Sequence, residues 1–218
     1  MTESMILEML PLGEFQANSF IVRHQEDAKA CWIVDCGPGP EPLLARIDAL
    51  GLRPEGIVLT HCHHDHIAGI DTVLGKYGPM PIAAHEEEWE WNATPELNLS
   101  AFLGRPSTAT PPDVPLVDGG ECPLGPDWAI MHVPGHSPGS VAFHHPKTST
   151  LIAGDTLFNG SIGRIDFPTS DPEAMKGSLA RLMGLSDETI VYPGHGPSTQ
   201  IGQERVSNPF LRGGIPTF

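Results

Sequence analysis

Imidazole or carboxylate side chains occupy five of six consecutive positions in this chain. Residues 61–66 read His-Cys-His-His-Asp-His, which gives the spacing H-x-H-x-D-H. Imidazole and carboxylate groups together suit zinc, iron or manganese, which compete for such sites through geometry and availability. The cluster therefore indicates a metal site, and the chain must adopt a fold in which these side chains converge.

The cluster follows a segment typical of a buried strand and precedes a segment typical of a helix. Residues 57–60 are apolar or β-branched, and residues 67–77 carry apolar side chains at helical spacing. The candidate ligands are therefore predicted to lie on a tight loop between a strand and a helix, where their side chains can converge on one point.

Three further loops repeat the arrangement of a strand end, a glycine and an ionisable residue. Glycine beside the ionisable residue permits backbone conformations that are closed to residues with a Cβ atom. Because the ligands of one metal site come from separate strand ends, these loops are predicted to meet the first cluster. Their ionisable residues are His136 after residues 128–133, Asp155 after residues 151–154, and His195 after residues 190–193.

These loops together resemble the motif series of the metallo-β-lactamase superfamily. Within that superfamily the chain looks like the glyoxalase II branch, which comprises the hydroxyacylglutathione hydrolases and their short bacterial relatives. The resemblance extends from Asn18 to the Gly-His-Gly-Pro segment at residues 194–197, and residues 203–211 resemble the ends of the short relatives. The residues that match the motifs are His61, His63, Asp65, His66, His136, Asp155 and His195.

The resemblance implies an α/β fold, the αββα metallo-β-lactamase sandwich, as a single domain over residues 1–218. Strand-like runs at residues 5–10, 19–23 and 31–35 and a helix-like run at residues 41–50 agree with a layered α/β fold. Full-length glyoxalase II enzymes carry a C-terminal glutathione-binding helical domain, and this chain ends about where that domain would begin.

The same resemblance assigns the ligands of two divalent metal ions, with zinc expected and iron or manganese as alternatives. His61, His63 and His136 would bind the first ion, and Asp65, His66 and His195 the second, with Asp155 bridging them. Water shared by two such cations becomes hydroxide near neutral pH. Asp65 and Asp155 are therefore the predicted catalytic residues of a hydrolase that attacks a thioester carbonyl.

Arg164 is the predicted substrate-binding residue, because the resemblance places a basic residue there against the thiol cofactor. The alternative for Arg164 is a surface ion pair. Asp166 stands two positions later, where those enzymes have tyrosine. The surrounding segment, residues 163–168, also resembles persulfide dioxygenases.

Three hypotheses of function remain open on the sequence. The first is a binuclear hydrolase of thioesters of the S-lactoylglutathione type. The second is a mononuclear iron persulfide dioxygenase, and the third is a metal-binding protein without catalysis. The second-metal set, which includes His195, favours the first hypothesis.

Charge and composition restrict the partners. The formal net charge of −15 opposes the phosphate binding that nucleic-acid enzymes need, so a small molecule is the expected substrate. No signal peptide or span of ~20 apolar residues is recognised, which predicts a cytoplasmic protein without a membrane partner. The four cysteines form no C-x-x-C pair and are expected to be reduced.

Several residues near the motifs are candidates for supporting roles. Asp35 and Thr60 are predicted to orient a ligating histidine, and Asn18 to lie near the site. Cys62 and His64 lie inside the first motif but are not counted as ligands. Residues 92–126, rich in Pro, Gly and Thr, are predicted to form either a flap or wall near the pocket mouth or a surface excursion without a catalytic role.

Overall fold

Strand side chains that point alternately to the two faces of each sheet divide the buried apolar residues among three core clusters. The structure is a computed structural model that describes residues 5–26 and 28–213. Residues 1–4, which belong to the N-terminal segment predicted not to be a signal peptide, lie outside the described residues.

The first sheet has six strands, which lie side by side in chain order. The second strand is antiparallel to the first and to the third, and the pairs from the third strand onward are parallel. The strands are β1 (Ile6–Leu12), β2 (Ala17–Arg23), β3 (Ala30–Val34), β4 (Arg53–Val58), β5 (Ile82–Ala84) and β6 (Val114–Pro115).

The second sheet has five strands, and a separate two-stranded ribbon follows its third strand in the chain. In chain order the strands are β7 (Ala129–His132), β8 (Val141–His145), β9 (Thr150–Gly154), β10 (Leu157–Phe158), β11 (Ser161–Ile162), β12 (Ile190–Pro193) and β13 (Thr199–Gln200). The ribbon is β10 with β11, and the sheet order is β13-β12-β9-β8-β7.

The helices cover the outer faces of the two sheets. They are α1 (Glu41–Ala49), α2 (His64–Ile67), α3 (Ile70–Tyr77), α4 (Pro172–Leu182), α5 (Ile201–Ser207) and α6 (Pro209–Gly213). Short 3-10 helical segments occupy Glu86–Ala93, Ser100–Leu103 and Pro146–Thr148.

The period of two along each strand sends successive side chains to opposite faces of the sheet. Ile21 of β2 packs with α1 and α3, whereas Phe20 and Val22 face the second sheet. On β9, Ile152 faces the first sheet, while Leu151 and its alternate neighbours pack with α4 and α5. The layers are therefore helix, sheet, sheet and helix, and the predicted single-domain αββα sandwich is confirmed.

The candidate ligands follow strands whose carboxyl ends lie at one edge of the sandwich. β9 and β12 are parallel. β7 runs in the same direction as β9, because both are antiparallel to β8, which lies between them. The loop after β4 of the first sheet joins this edge through a hydrogen bond from Val141 N to Thr60 O of 2.8 Å. Loops from both sheets thus meet at one place.

The predicted helix over residues 67–77 is interrupted. It forms two helices, α2 and α3, separated at Gly69. Here the backbone approaches the loop after β3 so closely that a Cβ on Gly69 would lie 2.3 Å from Gly37 O. Gly69 N donates to Cys36 O at 2.8 Å, and Cys36 N donates to His66 O at 2.7 Å. These hydrogen bonds between the two loops use backbone groups that a continuous helix would need, so the helix that the apolar spacing predicts is interrupted.

The 92–126 segment is only partly the wall that the sequence predicts. Residues 98–103 contribute side chains to the pocket mouth. Farther along, β6 pairs with β5, and Leu116 and Leu124 are buried between the sheets.

None of the helices in the described part of the chain is long and apolar enough to cross a membrane.

Candidate active site

The structure brings all seven predicted ligands together at the shared edge of the sheets. Three triplets of these side chains place their ligand atoms within 4.8 Å of one another. The triplets are His61 with His63 and His136, His61 with His66 and Asp155, and Asp65 with His66 and His195. The loops that follow four strands therefore bring the donors into one cluster. His61, His63 and His136 form its first group, Asp65, His66 and His195 form its second, and Asp155 adjoins both.

Hydrogen bonds fix the tautomers of four of the five imidazoles. The Nδ1–H group of His136 donates to Arg164 O at 2.8 Å, and that of His195 donates to Phe15 O at 3.0 Å. His66 Nδ1 lies 2.8 Å from Asp35 Oδ2, and His61 Nδ1 lies 3.2 Å from Thr60 Oγ1. Because Nδ1 carries the proton in each case, Nε2 keeps a lone pair for a metal ion.

Several buried polar atoms at this point have no hydrogen-bond partner in the protein. They include Nε2 of His61 and His66 and Oδ1 of Asp155. A buried polar atom without a partner costs about 1–3 kcal/mol. Nitrogen and carboxylate donors that converge without protein partners fit the divalent cations that the motif implies.

Asp155 lies between the two groups. Its Oδ2 is 3.6 Å from His136 Nε2 and 3.5 Å from His195 Nε2, and its Oδ1 is 3.5 Å from His66 Nε2. The neighbouring position must be glycine, because a Cβ on Gly194 would lie 2.0 Å from Asp155 Oδ1. This position suits the predicted bridging role, which stays a prediction.

The two groups differ in electrostatic environment. Burial and neighbouring imidazoles lower the pKa of His61 and His63 well below the usual histidine value. Burial also acts to lower the pKa of His66, but Asp65, Asp35 and Asp155 outweigh it and raise this pKa to about 10. The first group is therefore neutral and rich in lone pairs, while the carboxylates of the second favour a positive charge, which a proton or a metal cation supplies.

Asp35 and Thr60 support the ligands as the sequence predicts. Asp35 Oδ1 accepts from Thr60 N at 2.7 Å, and its Oδ2 accepts from Thr60 Oγ1 at 2.7 Å as well as from His66. Its backbone has a φ of 54°, a left-handed conformation that is uncommon for residues other than glycine. From this backbone position the Asp35 carboxylate orients two ligands, His66 directly and His61 through Thr60.

Asn18 lies near the site and holds the loop of His195. Its Nδ2 donates to Pro193 O and Gly196 O, both at 2.9 Å, and its backbone N donates to Gly194 O at 2.7 Å. The first sheet thereby fixes a ligand loop of the second sheet.

Glu88 supports two ligand loops, a role that no pattern in the sequence indicates. Its side chain is fully buried, and it accepts from Cys62 N at 2.6 Å and Gly139 N at 2.7 Å. Burial raises the pKa of Glu88 to about 7. The carboxylate therefore joins the loop of His61 and His63 to the loop of His136, whereas the Cys62 thiol packs into the apolar core.

A pocket of about 680 Å³ opens above the candidate ligands. Five of the seven line it, and most of the remaining walls are apolar. His64, which is not counted among the ligands, also lines the pocket, and its Nδ1 lies 2.7 Å from Ser107 Oγ. The ligands that line the pocket are His63, Asp65, His136, Asp155 and His195.

Arg164 lines the same pocket, but its charge is paired. Its Nε lies 2.8 Å from Asp166 Oδ1 and its terminal nitrogen 2.9 Å from Asp166 Oδ2, while the guanidinium stacks 4.2 Å from the centre of the Phe167 ring. The contact of Arg164 with substrate stays a prediction.

A sequence profile described as the metallo-beta-lactamase superfamily matches residues 12–195, which include all seven candidate ligands. The chain belongs to the metallo-β-lactamase superfamily. Its sandwich fold and the loops at the shared sheet edge are thus those of a metallo-β-lactamase domain.

Two relatives of similar length share about a third of the sequence. The chain is 37% identical to the "Probable metallo-hydrolase YqgX" of Bacillus subtilis, with 94% of this chain and 96% of the relative covered. It is 33% identical to the "Hydroxyacylglutathione hydrolase GloC" of Haemophilus influenzae, with 95% and 98% covered. The chain is a metal-dependent hydrolase of the metallo-β-lactamase superfamily.

Two solved structures resemble the fold over nearly the whole chain. BLEG-1, a B3 metallo-β-lactamase, is 38% identical with a TM-score of 0.88, and the alignment covers 94% of this chain and 99% of BLEG-1. TTHA1623, solved in a di-iron-bound form, is 37% identical with a TM-score of 0.82, covering 94% and 100%. A metallo-β-lactamase domain of this kind can therefore hold two metal ions, as TTHA1623 does.

Proposed function

We propose that this protein hydrolyses thioesters of the hydroxyacylglutathione type, such as S-lactoylglutathione, and uses two divalent metal ions, zinc in the first instance. The observation that carries the proposal is the position of Asp155 between two adjoining donor groups at the floor of the pocket. The similarity to the hydroxyacylglutathione hydrolase of Haemophilus influenzae supports the thioester as the substrate class.

The seven side chains would be distributed between the two metal ions as the family motif implies. His61, His63 and His136 would hold one ion, Asp65, His66 and His195 the other, and Asp155 both. When bound, such ions lower the pKa of water towards neutrality and polarise a carbonyl oxygen. Iron or manganese would supply the same chemistry.

The protein's own groups orient the reactants in this proposal. Asp65 lines the pocket with Oδ2 3.1 Å from His195 Nε2. Burial acts to raise the pKa of Asp65, but His66 and His195 outweigh it and hold this pKa well below its usual range, so the ionised carboxylate could accept a hydrogen bond from a water. Asp35 keeps His66 in the tautomer with a free Nε2. The apolar walls exclude bulk water around the thioester carbonyl, which strengthens the electrostatic interactions within the site.

The proposal includes a small-molecule partner and a cytoplasmic location, without nucleic acid or a membrane. The net charge of −15 supports the exclusion of nucleic acid.

Purified protein loaded with zinc, manganese or iron(II) is expected to hydrolyse S-lactoylglutathione. A chelator should abolish the release of free thiol, and readdition of the metal should restore it. The reason is that the metal ions would be the electrophiles that polarise the thioester carbonyl, and the donor side chains supply no other. Thiol release is measured with a chromogenic disulfide reagent, and a β-lactam and a lactone are assayed in parallel.

Two results would reject the proposal. Fully metallated protein that turns over no thioester is not a thioesterase, and activity restricted to the β-lactam or lactone reassigns the substrate class. Oxygen uptake with glutathione persulfide would instead support the dioxygenase hypothesis, and inactivity with every substrate would support a non-catalytic metal-binding protein.

A further inference from the structure

Exposed apolar side chains are concentrated at the mouth of the pocket. Among the described residues, five large hydrophobic side chains are exposed, and three of them line this pocket. Phe102 is 70% exposed, Phe15 43% and Leu103 42%. Single exposed apolar residues need no explanation, but a contiguous group marks a binding surface.

These side chains form one wall of the pocket, beside His195. Phe15 O accepts the Nδ1–H of His195 at 3.0 Å, and the Phe158 ring centre lies 6.0 Å from that of His195. Leu99, Phe102 and Leu103 line the same pocket, and the 3.2 Å ion pair between Arg105 and Glu14 brings this segment close to Phe15. We call Phe15, Leu99, Phe102, Leu103 and Phe158 the apolar wall.

The part of the pocket near His136 has a different character. The Phe167 ring centre lies 5.7 Å from that of His136, and the Arg164 guanidinium lies 4.2 Å from the centre of the Phe167 ring. Arg164 and Asp166 put polar atoms here, although their charges are paired. The pocket thus has an apolar part beside His195 and a more polar part beside His136.

Arginine side chains at the mouth offer no free charge to the apolar wall. Arg164 is the one arginine or lysine among the residues that line the pocket, and it pairs with Asp166. Arg105, just beyond Leu103 in the chain, pairs with Glu14 at 3.2 Å. An anionic group therefore finds no unpaired guanidinium or ammonium group at the apolar wall, whereas an aliphatic chain finds five apolar side chains.

We propose that the apolar wall binds the acyl chain of the thioester and that the site prefers aliphatic acyl groups longer than lactoyl. This inference rests on the proposed function, because it assigns the acyl side of the same substrate. The pocket of about 680 Å³ lies within the range that accommodates ligands far larger than a lactoyl group.

The expected gain follows from burial of methylene groups. A fully buried methylene contributes about 0.8 kcal/mol, which corresponds to about a fourfold change in affinity. The wall is partly exposed, so each methylene would be only partly buried and about a twofold gain is expected. From acetyl to hexanoyl the total gain should be on the order of tenfold.

Binding is measured first with S-alkylglutathione thioethers, which cannot be hydrolysed. The dissociation constants of S-methyl-, S-butyl- and S-hexylglutathione are determined by calorimetry on the metal-loaded protein. They should fall with chain length, and Phe102→Ala should weaken this dependence. Val206→Ala is the matched control, because Val206 is equally exposed at 70% but lies on α5 outside the pocket lining.

Hydrolysis is then measured with S-acetyl-, S-butanoyl- and S-hexanoylglutathione, which share one leaving group. A kcat/KM that rises with chain length in wild type and Val206→Ala, and less in Phe102→Ala, supports the acyl assignment. Chain-length-dependent thioether binding without any thioester hydrolysis would reject the proposed function but retain the apolar wall as a binding surface.

Two outcomes would overturn the inference. The first is an affinity and kcat/KM independent of chain length in the wild type. The second is a wild-type dimer, measured by light scattering, that Phe102→Ala converts to a monomer without changing the chain-length dependence. The wall would then be an interface between copies of this chain.

Discussion

The Asp155→Ala variant is expected to lose nearly all hydrolytic activity. Asp155 is the carboxylate that lies within 3.6 Å of imidazole nitrogens from both donor groups, so its removal weakens both metal sites at once. Loss of a residue that only supports a metal ligand costs ten- to a hundredfold in affinity or activity. Loss of a shared ligand should cost more, roughly a thousandfold or greater in kcat/KM.

Steady-state thiol release and elemental analysis of the same preparation measure this effect. Glu188→Ala is the control for loss of a carboxylate, because Glu188 is exposed and belongs to none of the donor groups. An Asp155→Ala protein that retains its metal content and most of its activity would contradict the bridging role.

The Asp35→Asn variant is expected to bind metal ten- to a hundredfold more weakly, as outer partners of ligating histidines generally do when replaced. The carboxylate accepts three hydrogen bonds, two from Thr60 and one from His66. Asparagine has the same shape but only one acceptor oxygen, so its NH₂ group would face a donor. His66 would then lose the contact that keeps its Nε2 free.

Asp71→Asn provides a closely matched control for this variant. Asp71 Oδ1 accepts from the backbone N and the hydroxyl of Thr110, as Asp35 does from Thr60, but it lies on exposed α3 surface away from the donor groups. Competition with a chromogenic chelator measures the affinity. Equal affinities for the two variants would mean that Asp35 does not act on the metal site.

The positions of the ligands could be predicted because each follows a short apolar strand. His61, Asp155 and His195 all stand within three residues of a strand end in the structure. Strand ends of one direction meet at one edge of a sheet, so the local pattern also carries information on the tertiary arrangement. The family motif adds that the loop after β4 meets the ligand loops of the other sheet, which no local pattern contains.

Glu88 could not be predicted, because its role depends on contacts between distant parts of the chain. Its partners Cys62 and Gly139 are 26 and 51 residues away in sequence. In the sequence it stands in a run of three glutamates, which has the appearance of a solvated surface. Only the packing of the two ligand loops distinguishes Glu88, which is buried, from Glu86 and Glu87, which are exposed.

The interrupted helix at Gly69 has a similar explanation. Apolar spacing predicts where a helix buries its face, but not where another loop needs the space of a side chain. The carbonyl of Gly37 occupies that space beside Gly69. Asp166 likewise changes the environment of Arg164, because the sequence shows both residues but not the paired hydrogen bonds between them.

The metal content of the purified protein tests the central claim most directly. The seven side chains form two adjoining donor groups, so elemental analysis should find close to two metal ions per chain, falling to one in His195→Ala. A single ion per chain in the wild type, unchanged in His195→Ala, would contradict the binuclear account.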